Sequence, residues 1–442
     1  MNLKTIAELL GCAPAPDMEI NGIAIDSRLV KPGELFIALR GERFDGHDFI
    51  ADAAAKGAAA IVCEQACPGI AIPQWVVPSS LEALAKLAAS HRRSMDCRVI
   101  ALTGSNGKTT VKEMIAAILP PPSLATRGNR NNHIGAPLTA LELKPEHRYA
   151  VFELGANHPR EIAHTVAIVQ PQVALINNIA PAHIEGFGSI DGVARAKGEI
   201  YEGLPSDGTA VVNDDDEYAH FWDGLLNGKN VLRFSLNKPV DAYARGTLFD
   251  ERGCAQFTLV LPCGEAQIQL QVPGEHTIRN ALAAALCCFA AGIGLPDIAR
   301  GLNQFQGVAG RMTYLHGHND ALVIDDTYNA NLRSVLTAVD VLSKRQGRRI
   351  LVLGDMGELG AWTQQHHEEI GRVAQSKGID LLMTCGKHSE FSSKAFGKPA
   401  CHYQTQDDLA RDLLPHLNKD TTVLVKGSRS AAMEKIVHRL VG

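Results

Sequence analysis

Apolar residues follow two alternating periods along the middle of the chain. From about Val99, short apolar runs that suit buried strands, RVIALT, YAVFELG and VALINN, are separated by stretches with helical spacing such as TTVKEMIAAIL. A strand, a helix and a second strand in this order are typical of a βαβ unit, whose strands lie parallel. The pattern therefore predicts an α/β domain built on a mainly parallel sheet.

The pattern changes at two later places. Between Phe257 and Val272, apolar residues occupy alternate positions on both sides of a Pro-Cys-Gly turn, which predicts a β-hairpin. After Arg311 the alternation of strands and helices resumes through ALVIDD, RILVLGD, DLLMTCG and TTVLVKG, with helices predicted from Leu332 to Lys344 and from Asp407 to Leu417. This last part of the chain is predicted to be a Rossmann-like, doubly wound domain.

The first part of the chain has a third character. Short strand-like runs, such as Leu35 to Leu39 and Ala59 to Cys63, mix with small helical stretches, as is typical of a small α/β unit. A chain of 442 residues also exceeds what one hydrophobic core usually serves. We therefore predict three domains, residues 1–78, 79–310 and 311–442.

The composition is that of an ordinary soluble protein. With 45% hydrophobic residues, 21% charged residues and a formal net charge of −5, it gives no electrostatic reason to expect nucleic acid as a partner. The longest apolar run, Ala281 to Leu295, is interrupted by Gly292 and Gly294, and it is shorter than the roughly 20 residues that a bilayer span needs. We predict a buried helix there and no membrane span.

Two further features indicate the cytoplasm. The N-terminus has one lysine and only a short apolar stretch before Gly11, which is too little for a signal peptide. The ten cysteines are scattered and form no C-x-x-C pair, so the sequence supports neither a zinc site nor a redox site. Cysteines that behave as small buried hydrophobes suit a reducing compartment.

The most informative segment is TGSNGKTT, residues 103–110, which we call the phosphate loop. Glycines let backbone N–H groups approach phosphate oxygens, the helix N-terminus adds positive charge, the lysine reaches the β/γ oxygens, and the next hydroxyl ligates Mg²⁺. Leu102 stands where the common pattern has its first glycine, so this loop is shortened. A glycine turn beside an exposed lysine is the alternative, but the order of strand, loop and helix favours an ATP or GTP site. The residues predicted to bind the nucleotide here are Gly104, Ser105, Asn106, Gly107, Lys108, Thr109 and Thr110.

A shortened loop of this form, followed by an acidic strand, resembles the Mur ligase family, and the resemblance covers nearly the whole chain. It implies a UDP-binding first domain, a central ATPase-like domain and a C-terminal Rossmann-like ligase domain. The segments that carry it are DSR from Asp26, PGELF from Pro32, GERFDGH from Gly41, NRNNHIGAPLT from Asn129, ELGANHPREI from Glu153, NNIAPAHIEGFGSIDGVARAKGEI from Asn177, GEHTIRNALAA from Gly274, GRM from Gly310, DDTYNANLRSV from Asp325, LGDMGELG from Leu353 and VKGSR from Val425.

Two of these segments narrow the resemblance within the family. DDTYNAN and LGDMGELG are similar to the branch that adds D-alanyl-D-alanine, whereas the D-N-P-R segment of the diaminopimelate-adding branch is absent. The resemblance implies an ATP-dependent ligase that joins D-alanyl-D-alanine to UDP-N-acetylmuramoyl-tripeptide through an acyl phosphate, in peptidoglycan precursor synthesis. One position departs from the pattern, because Leu332 stands where the family usually has proline.

The resemblance also implies two Mg²⁺ ions and their ligands. Thr109 and Glu153 would hold the first ion, and His183 the second, together with a carbamate formed from Lys197 and CO₂. By itself a strand-end glutamate is most often solvated, and a lone histidine or lysine is more often structural or exposed than a ligand. These metal roles therefore depend on the family.

Further roles follow in the same way. Lys108 would neutralise the β/γ-phosphates, and Arg311, which could otherwise be a surface salt-bridge residue, would reach the ATP phosphate when the domains close. Asn280 would contact the adenine, and Asp326, preferred to Asp325 on spacing, would bind the ribose. The implied catalytic residues are Lys108, Lys197, His183 and Arg311.

The substrate contacts are taken from matching segments in all three domains. Asparagines in loops more often make turns than bind ligands, so these contacts depend most strongly on the resemblance. The candidates are Asp26, Ser27 and Arg28 in the first domain, Asn131, Asn132 and Thr139 in the second, and Lys426, Ser428 and Arg429 in the third.

Two alternatives stay open at this point. One is another Mur-type amino-acid ligase, which the C-terminal segments disfavour. The other is a nucleotide-dependent switch ATPase, which would not need Glu153, His183 and Lys197 together. The sequence leaves open whether the third residue of the accepted peptide is diaminopimelate or lysine and whether the domains are open or closed, and it carries no direct sign of oligomeric state, for which we expect a monomer.

Overall fold

A computed structural model describes residues 1–41, 44–181 and 184–441 of the chain, with residues 184 and 185 described by their backbone. Within these residues the strands form three separate sheets of four, nine and six strands, and helices cover their faces. The architecture is α/β, as the alternating sequence pattern predicts.

The first sheet has four parallel strands in the order β1-β2-β3-β4. Strands β2 and β3 are buried along their whole length because apolar clusters lie on both faces of the sheet, and this explains their continuous apolar runs. The elements of this part are α1 (Leu3–Leu10), β1 (Ile23–Ala24), β2 (Leu35–Ile37), α2 (Ile50–Ala55), β3 (Ala60–Cys63) and β4 (Gln74–Val76).

Helix α3 (Ser80–Arg93) joins the first two sheets. Leu84 and Leu87 pack into a core cluster of the first sheet, whereas Ala85 and Ala88 pack into a cluster of the second. Near its C-terminal end, the buried guanidinium of Arg92 donates hydrogen bonds to the carbonyl oxygens of Met95, Cys97, Val169 and Gln170, at 2.9–3.3 Å. The arginine therefore ties α3 to the helix that ends before residue 171.

The second sheet has nine strands in the order β13-β12-β11-β10-β9-β8-β5-β7-β6. Strands β5 to β11 pair in parallel, and β12 and β13 extend the edge as the predicted antiparallel hairpin. The strands are β5 (Arg98–Thr103), β6 (Ser123–Ala125), β7 (Tyr149–Glu153), β8 (Val173–Ile176), β9 (Thr209–Asn213), β10 (Asn230–Ser235), β11 (Ala242–Phe249), β12 (Cys254–Leu261) and β13 (Gly264–Pro273).

Helices cover both faces of this second sheet. Helices α4, α10 and α11 pack on one face and α3, α5, α6 and α8 on the other, so each face has its own apolar cluster. The helices of this part are α4 (Lys108–Ile118), α5 (Gly135–Leu141), α6 (Glu161–Val169), α7 (Ile184–Phe187), α8 (Ile190–Glu202), α9 (Asp223–Leu226), α10 (Glu275–Ala290) and α11 (Leu295–Gln304).

The apolar run from Ala281 to Leu295 is not one helix. Its first part is the C-terminal half of α10, which is buried from Ala281 to Cys288, as predicted, but α10 ends at Ala290 and α11 begins at Leu295. Gly292 has φ +87°, a left-handed conformation that an α-helix cannot continue through. Among the described residues, no helix is long and apolar enough to cross a membrane.

The third sheet has six strands in the order β14-β15-β19-β16-β17-β18, all parallel except the edge strand β14. Its two faces also carry separate apolar clusters. The elements are β14 (Thr313–His316), β15 (Leu322–Asp326), α12 (Leu332–Ser343), β16 (Arg348–Gly354), α13 (Thr363–Ser376), β17 (Leu381–Cys385), α14 (Glu390–Phe396), β18 (Ala400–Tyr403), α15 (Gln406–Leu413), β19 (Thr421–Lys426) and α16 (Glu434–Val441).

Two helices of the third sheet refine the sequence prediction. The helix expected from Asp407 to Leu417 is α15 followed by a 3-10 turn, because Pro415 has no amide hydrogen to continue the helical bonding. Helix α12 begins at Leu332, the first helical position, where proline is favoured. A capping box between Asn331 and Ser334 fixes this start, so leucine is accommodated there.

We expect Arg92→Met to destabilise the second sheet, because it removes charge-assisted hydrogen bonds and leaves buried carbonyl groups without donors. A loss of about 3 kcal/mol is expected, which lowers the melting temperature of a domain of about 200 residues by about 6–12 °C. Arg93→Met is the matched control, since Arg93 is the exposed neighbour on the same helix. Calorimetry that gives both variants the same transition temperature would show that the Arg92 bonds contribute nothing to stability.

Candidate active site

The phosphate loop connects β5 to α4, and its glycines are required by close approach. Gly107 has φ +78°, and a Cβ atom added to it would lie 2.7 Å from both Asn177 Nδ2 and Asn280 Oδ1. Gly104 has φ +152°, and an added Cβ would lie 3.1 Å from Asn177 Cβ. Any other residue at either position would push apart the backbone and the asparagines behind the loop.

The segment after β8 supports the phosphate loop from behind. The backbone N–H groups of Ser105 and Asn106 donate to Asn178, at its carbonyl and side-chain oxygen respectively, both at 2.9 Å. The Ser105 hydroxyl donates to the Ala180 carbonyl at 3.0 Å and accepts from the Ala180 N–H at 2.9 Å. These bonds fix the loop conformation independently of any ligand.

Lys108 is the first residue of α4, and its ammonium donates to the Gly104 carbonyl at 2.8 Å. Burial lowers the pKa of Lys108, and the nearby carboxylate of Glu153 opposes that shift. The lysine is therefore folded back over the loop, where its charge faces the space that phosphate oxygens would occupy.

A buried carboxylate lies next to the loop, at the end of β7. Glu153 is 2% exposed, and it accepts from the Thr109 hydroxyl at 2.8 Å and from Asn131 Nδ2 at 2.9 Å. The Thr109 oxygen in turn accepts from Arg311 Nη2, also at 2.8 Å. A hydroxyl and a carboxylate oxygen side by side are the hard donors that Mg²⁺ prefers, so these residues fit such an ion.

Lys197 lies on α8 and is 2% exposed. Burial, and then the charge of Lys108, lower the pKa of Lys197 to about 7. Among the described residues, no group forms a hydrogen bond or ion pair with its ammonium. Burial of this kind favours the neutral amine form of the lysine. His183, the other predicted ligand of a second ion, lies outside the described residues.

The third sheet brings further side chains to the same place. Asp326, at the end of β15, accepts from the Lys426 ammonium at 2.5 Å and from the Met312 N–H at 3.2 Å. Burial raises the pKa of Asp326, and Lys426 opposes that shift. Asp325 points elsewhere, since it accepts from the hydroxyl of Thr327 at 2.6 Å.

Polar contacts join the third sheet to the phosphate loop and its supporting segment. Asn331 Nδ2 donates to Asn106 Oδ1 at 2.8 Å, and Arg333 Nη1 donates to the Ile179 carbonyl at 3.0 Å. Together with the bond from Arg311 to Thr109, they place the start of α12 directly against the loop. The described arrangement therefore has the second and third sheets in contact around one site.

The resulting cavity of about 440 Å³ lies between these two sheets. It gathers predicted residues from β7, α4, α8, α10, β15 and β19, whose positions in the sequence are far apart. The predicted residues that line it are Ser105, Asn106, Gly107, Lys108, Thr109, Thr110, Asn131, Asn132, Glu153, Lys197, Asn280, Arg311, Asp326, Lys426 and Arg429.

Other predicted residues lie away from the cavity. On the first domain, Arg28 forms a two-point ion pair with Asp26, and this hydrogen bonding lowers the pKa of Asp26 to about 2. The buried Ser27 lies between them, and its carbonyl accepts from Lys56. These residues are available for the UDP end of a substrate, and that role stays a prediction.

Two more predicted contacts and one loop glycine also lie off the cavity surface. The Thr139 hydroxyl donates to the Gly135 carbonyl of its own helix at 2.9 Å. Ser428 Oγ lies 3.1 Å from Ser430 Oγ, and Gly104 contributes a carbonyl that holds Lys108. The proposed substrate contacts of Thr139 and Ser428 therefore stay predictions.

The cavity also contains side chains that the sequence reasoning did not select. His276 and Arg279 line it beside Asn280, and burial lowers the pKa of His276 to about 4, with Arg279 and Lys426 adding to the shift. His276 lies four residues before Asn280, so helical spacing could have placed both on one face. Tyr328 and Arg333 lie within the DDTYNANLRSV segment, but no local pattern indicates where they point.

Three family models match the chain. The Mur ligase middle domain matches residues 102–288, the Mur ligase glutamate ligase domain matches residues 310–429, and the Mur ligase family catalytic domain matches residues 19–92. The matches fall on the three parts of the chain that carry the three sheets.

Curated relatives are similar over nearly their whole length. The UDP-N-acetylmuramoyl-tripeptide--D-alanyl-D-alanine ligase of Escherichia coli (strain K12) is 43% identical, over 100% of this chain and 98% of that protein. The protein of the same name from Bacillus subtilis (strain 168) is 34% identical, over 99% of this chain and 98% of that protein.

Solved structures agree in fold. MurF from Acinetobacter baumannii superposes with a TM-score of 0.93 at 37% identity, over 99% of this chain and 98% of that one. MurF ligase from Thermotoga maritima, solved in complex with ADP, has a TM-score of 0.84 at 28% identity, over 95% of this chain and 96% of that one. With matches of this extent to models, relatives and structures, the chain belongs to the Mur ligase family.

Proposed function

We propose that the chain is the ATP-dependent ligase that joins D-alanyl-D-alanine to UDP-N-acetylmuramoyl-tripeptide. The observation that carries this proposal is the 43% identity, along the whole chain, to the Escherichia coli protein of that name. The cavity agrees with it chemically, because it combines a phosphate loop with cationic and acidic side chains from two sheets. The enzyme is a cytoplasmic monomer in this proposal and acts on peptidoglycan precursors.

The reaction has two steps. An oxygen of the tripeptide carboxylate attacks the γ-phosphorus of ATP, the bond to the β-phosphate oxygen breaks, and an acyl phosphate and ADP result. The dipeptide amine then attacks the acyl carbon and loses a proton, and phosphate leaves as the amide forms. Lys108 and Arg311 would act on the first step, because both cations line the cavity beside the phosphate loop and could stabilise the negative charge that gathers on the transferred phosphoryl group.

Magnesium is part of the proposal. Thr109 and Glu153 would hold one ion and His183 and Lys197 a second, and the ions would offset the charge of the phosphate oxygens. Lys197 would act as a carbamate, and its burial supports this role. A pKa near 7 leaves a substantial share of neutral amine at neutral pH, and the neutral amine is the form that reacts with CO₂. Carbamylation replaces a cation with an oxygen donor that suits Mg²⁺.

The nucleotide would extend from the phosphate loop toward α10 and β15. Asn280 would contact the adenine, and Asp326 the ribose. The geometry supports Asp326 over Asp325, since Asp326 lines the cavity and the Asp325 carboxylate is occupied by Thr327. Lys426, assigned from sequence to the substrate, also holds the Asp326 carboxylate in place.

The remaining substrate would lie across all three domains, which we delimit as residues 1–78, 79–310 and 311–442. Its uridine end would meet the first domain, its peptide the second, and the incoming dipeptide the third. The proposed contacts are Asp26, Ser27, Arg28, Asn131, Asn132, Thr139, Lys426, Ser428 and Arg429.

We expect Lys108→Ala to keep the fold and to lose turnover, because a charge that stabilises the transferred phosphoryl group is removed. The loss of one such group typically costs about 10²-fold or more in kcat. Lys144→Ala, which changes an exposed lysine of the same domain, is the matched control. A Lys108→Ala enzyme that keeps more than about a tenth of wild-type kcat would contradict the assigned role.

Lys197→Ala is expected to be nearly inactive, and short carboxylic acids such as formate or acetate should restore part of the activity by replacing the carbamate oxygens. Arg195→Ala controls for loss of a cation from the same helix, since Arg195 is exposed. Mass spectrometry under non-acidic conditions should detect the carbamate on the wild type. An unmodified lysine with full activity in CO₂-depleted buffer would remove the carbamate from the mechanism.

Phosphate release from ATP should require both UDP-N-acetylmuramoyl-tripeptide and D-alanyl-D-alanine, because the acyl phosphate turns over productively only when the dipeptide amine attacks it. The assay compares each substrate alone, both together, and L-alanine, D-glutamate or diaminopimelate in place of the dipeptide. A switch ATPase would hydrolyse ATP without either peptide. Release that ignores the dipeptide, or that accepts a single amino acid equally well, would falsify the proposed function and leave the nucleotide site standing.

A further inference from the structure

Arg311 reaches the phosphate loop from the start of the third sheet, and an aromatic ring lies under it. Its guanidinium carbon is 4.1 Å from the centroid of the Tyr328 ring, and its Nη2 donates to the Thr109 hydroxyl at 2.8 Å. Its Nε is buried and has no hydrogen-bond partner among the described residues. The guanidinium is therefore held by one hydroxyl and by the face of a ring, with donor capacity left over.

The backbone around Arg311 is fixed to the segment that carries Tyr328. The Tyr328 N–H donates to the Gly310 carbonyl at 3.0 Å, and the Met312 N–H donates to Asp326 Oδ1 at 3.2 Å. Gly310 has φ +73°, and an added Cβ would lie 3.5 Å from Tyr328 Cβ, so the two chains run close together. The arginine and the ring thus belong to one clipped unit.

The partner of the Arg311 guanidinium is an aromatic ring and not a carboxylate, and this determines how much of its positive charge stays available. Among the described residues, no carboxylate lies within ion-pair distance of Arg311, although Asp326 is close in sequence to Tyr328 and is bound to Lys426. A carboxylate partner would neutralise the guanidinium, whereas the face of an aromatic ring attracts the cation and leaves its charge available to a phosphate. A long arginine side chain without such a surface would spread over several rotamers.

We propose that Tyr328 is a positioning residue that holds the Arg311 guanidinium at Thr109 and keeps its charge free for the transferred phosphoryl group. This role rests on the function proposed above for the reaction that Arg311 serves. The effect of Tyr328 on ATP binding through Arg311 is a separate claim, and it can be tested without that function. It requires the ring of Tyr328 and not its hydroxyl, for which no hydrogen bond is present among the described residues.

The test compares Tyr328→Leu with Tyr328→Phe. The leucine variant lacks the ring and should lower kcat about tenfold, as expected for loss of a desolvated cation–ring contact, while KM for the tripeptide stays within about twofold. The phenylalanine variant keeps the ring and should stay within about twofold of wild-type kcat. Equal losses in both variants, or wild-type kcat in the leucine variant, would overturn the proposal.

Tyr314→Leu is the matched control. Arg345 lies over the Tyr314 ring at 5.7 Å, and the Tyr314 hydroxyl donates to the Arg252 carbonyl, between β11 and β12, at 3.1 Å. This change therefore removes an arginine–tyrosine contact within the third-sheet unit and a bond from that unit to the second, but neither Tyr314 nor Arg345 lines the cavity. Its kcat should remain near that of the wild type. A tenfold loss in Tyr314→Leu would assign the effect to weakened packing of the two sheets and would overturn the role of Tyr328.

A double variant separates positioning from direct nucleotide contact. If Tyr328 acts through Arg311, the double variant should lose little more kcat than Arg311→Lys loses alone. A loss of kcat in the double variant that equals the product of the two single losses would overturn the proposal. The same four proteins are titrated with ATP without either peptide. Losses of ATP affinity that are not additive in free energy support the positioning role, whether or not the wild type uses D-alanyl-D-alanine. Failure of the wild type to use D-alanyl-D-alanine counts against the proposed function only.

Discussion

Glu153 places a carboxylate at the end of a strand where almost no water reaches it, and the surrounding groups compensate for that burial. A buried charge is costly unless donors surround it. Here the Thr109 hydroxyl and the Asn131 amide supply direct bonds, and Lys108 lies near enough for its charge to be felt. The Thr109 oxygen also accepts a hydrogen bond from Arg311, so the carboxylate organises side chains from the second and the third sheet.

The balance of charge then explains the character of the cavity. Lys108, Lys197, Arg311 and Lys426 line the cavity together with the carboxylates of Glu153 and Asp326, and Lys426 is the cation of this set that is directly paired with one of them. Burial lowers the pKa of Lys197 to about 7, and the positive charge of its neighbour Lys108 adds to that shift. An excess of positive charge in a cavity favours the binding of an anion, and a nucleoside triphosphate is such an anion.

The parts that local sequence determines were predicted, and the parts that depend on distant contacts were not. The phosphate loop, the hairpin after Phe257 and the parallel sheets follow from glycines and apolar spacing, which act over a few residues. The end of α10 at Ala290 and the break before Pro415 could have been read more closely from Gly292 and Pro415 themselves. Resemblance placed most nucleotide-site candidates on the cavity, but it gave no geometry.

The contact between Arg311 and Tyr328 shows why the resemblance gave no geometry. Seventeen positions separate the two residues, and only the antiparallel return of β14 along β15 brings them together. The same limit applies to Thr139, whose hydroxyl is satisfied by its own helix, because a sequence match cannot tell which hydrogen bond a side chain has already made.

The contacts between the second and third sheets share a chemical feature that bears on catalysis. Arg311, Asn331 and Arg333 donate to a hydroxyl, an amide oxygen and a carbonyl, all of them neutral acceptors. Bonds to neutral acceptors are weaker than bonds to charged ones, so a phosphate oxygen competes well for such donors. In the proposed function the same side chains would therefore serve both domain contact and nucleotide binding, because they could turn from neutral acceptors toward the phosphates without leaving a buried charge unpaired.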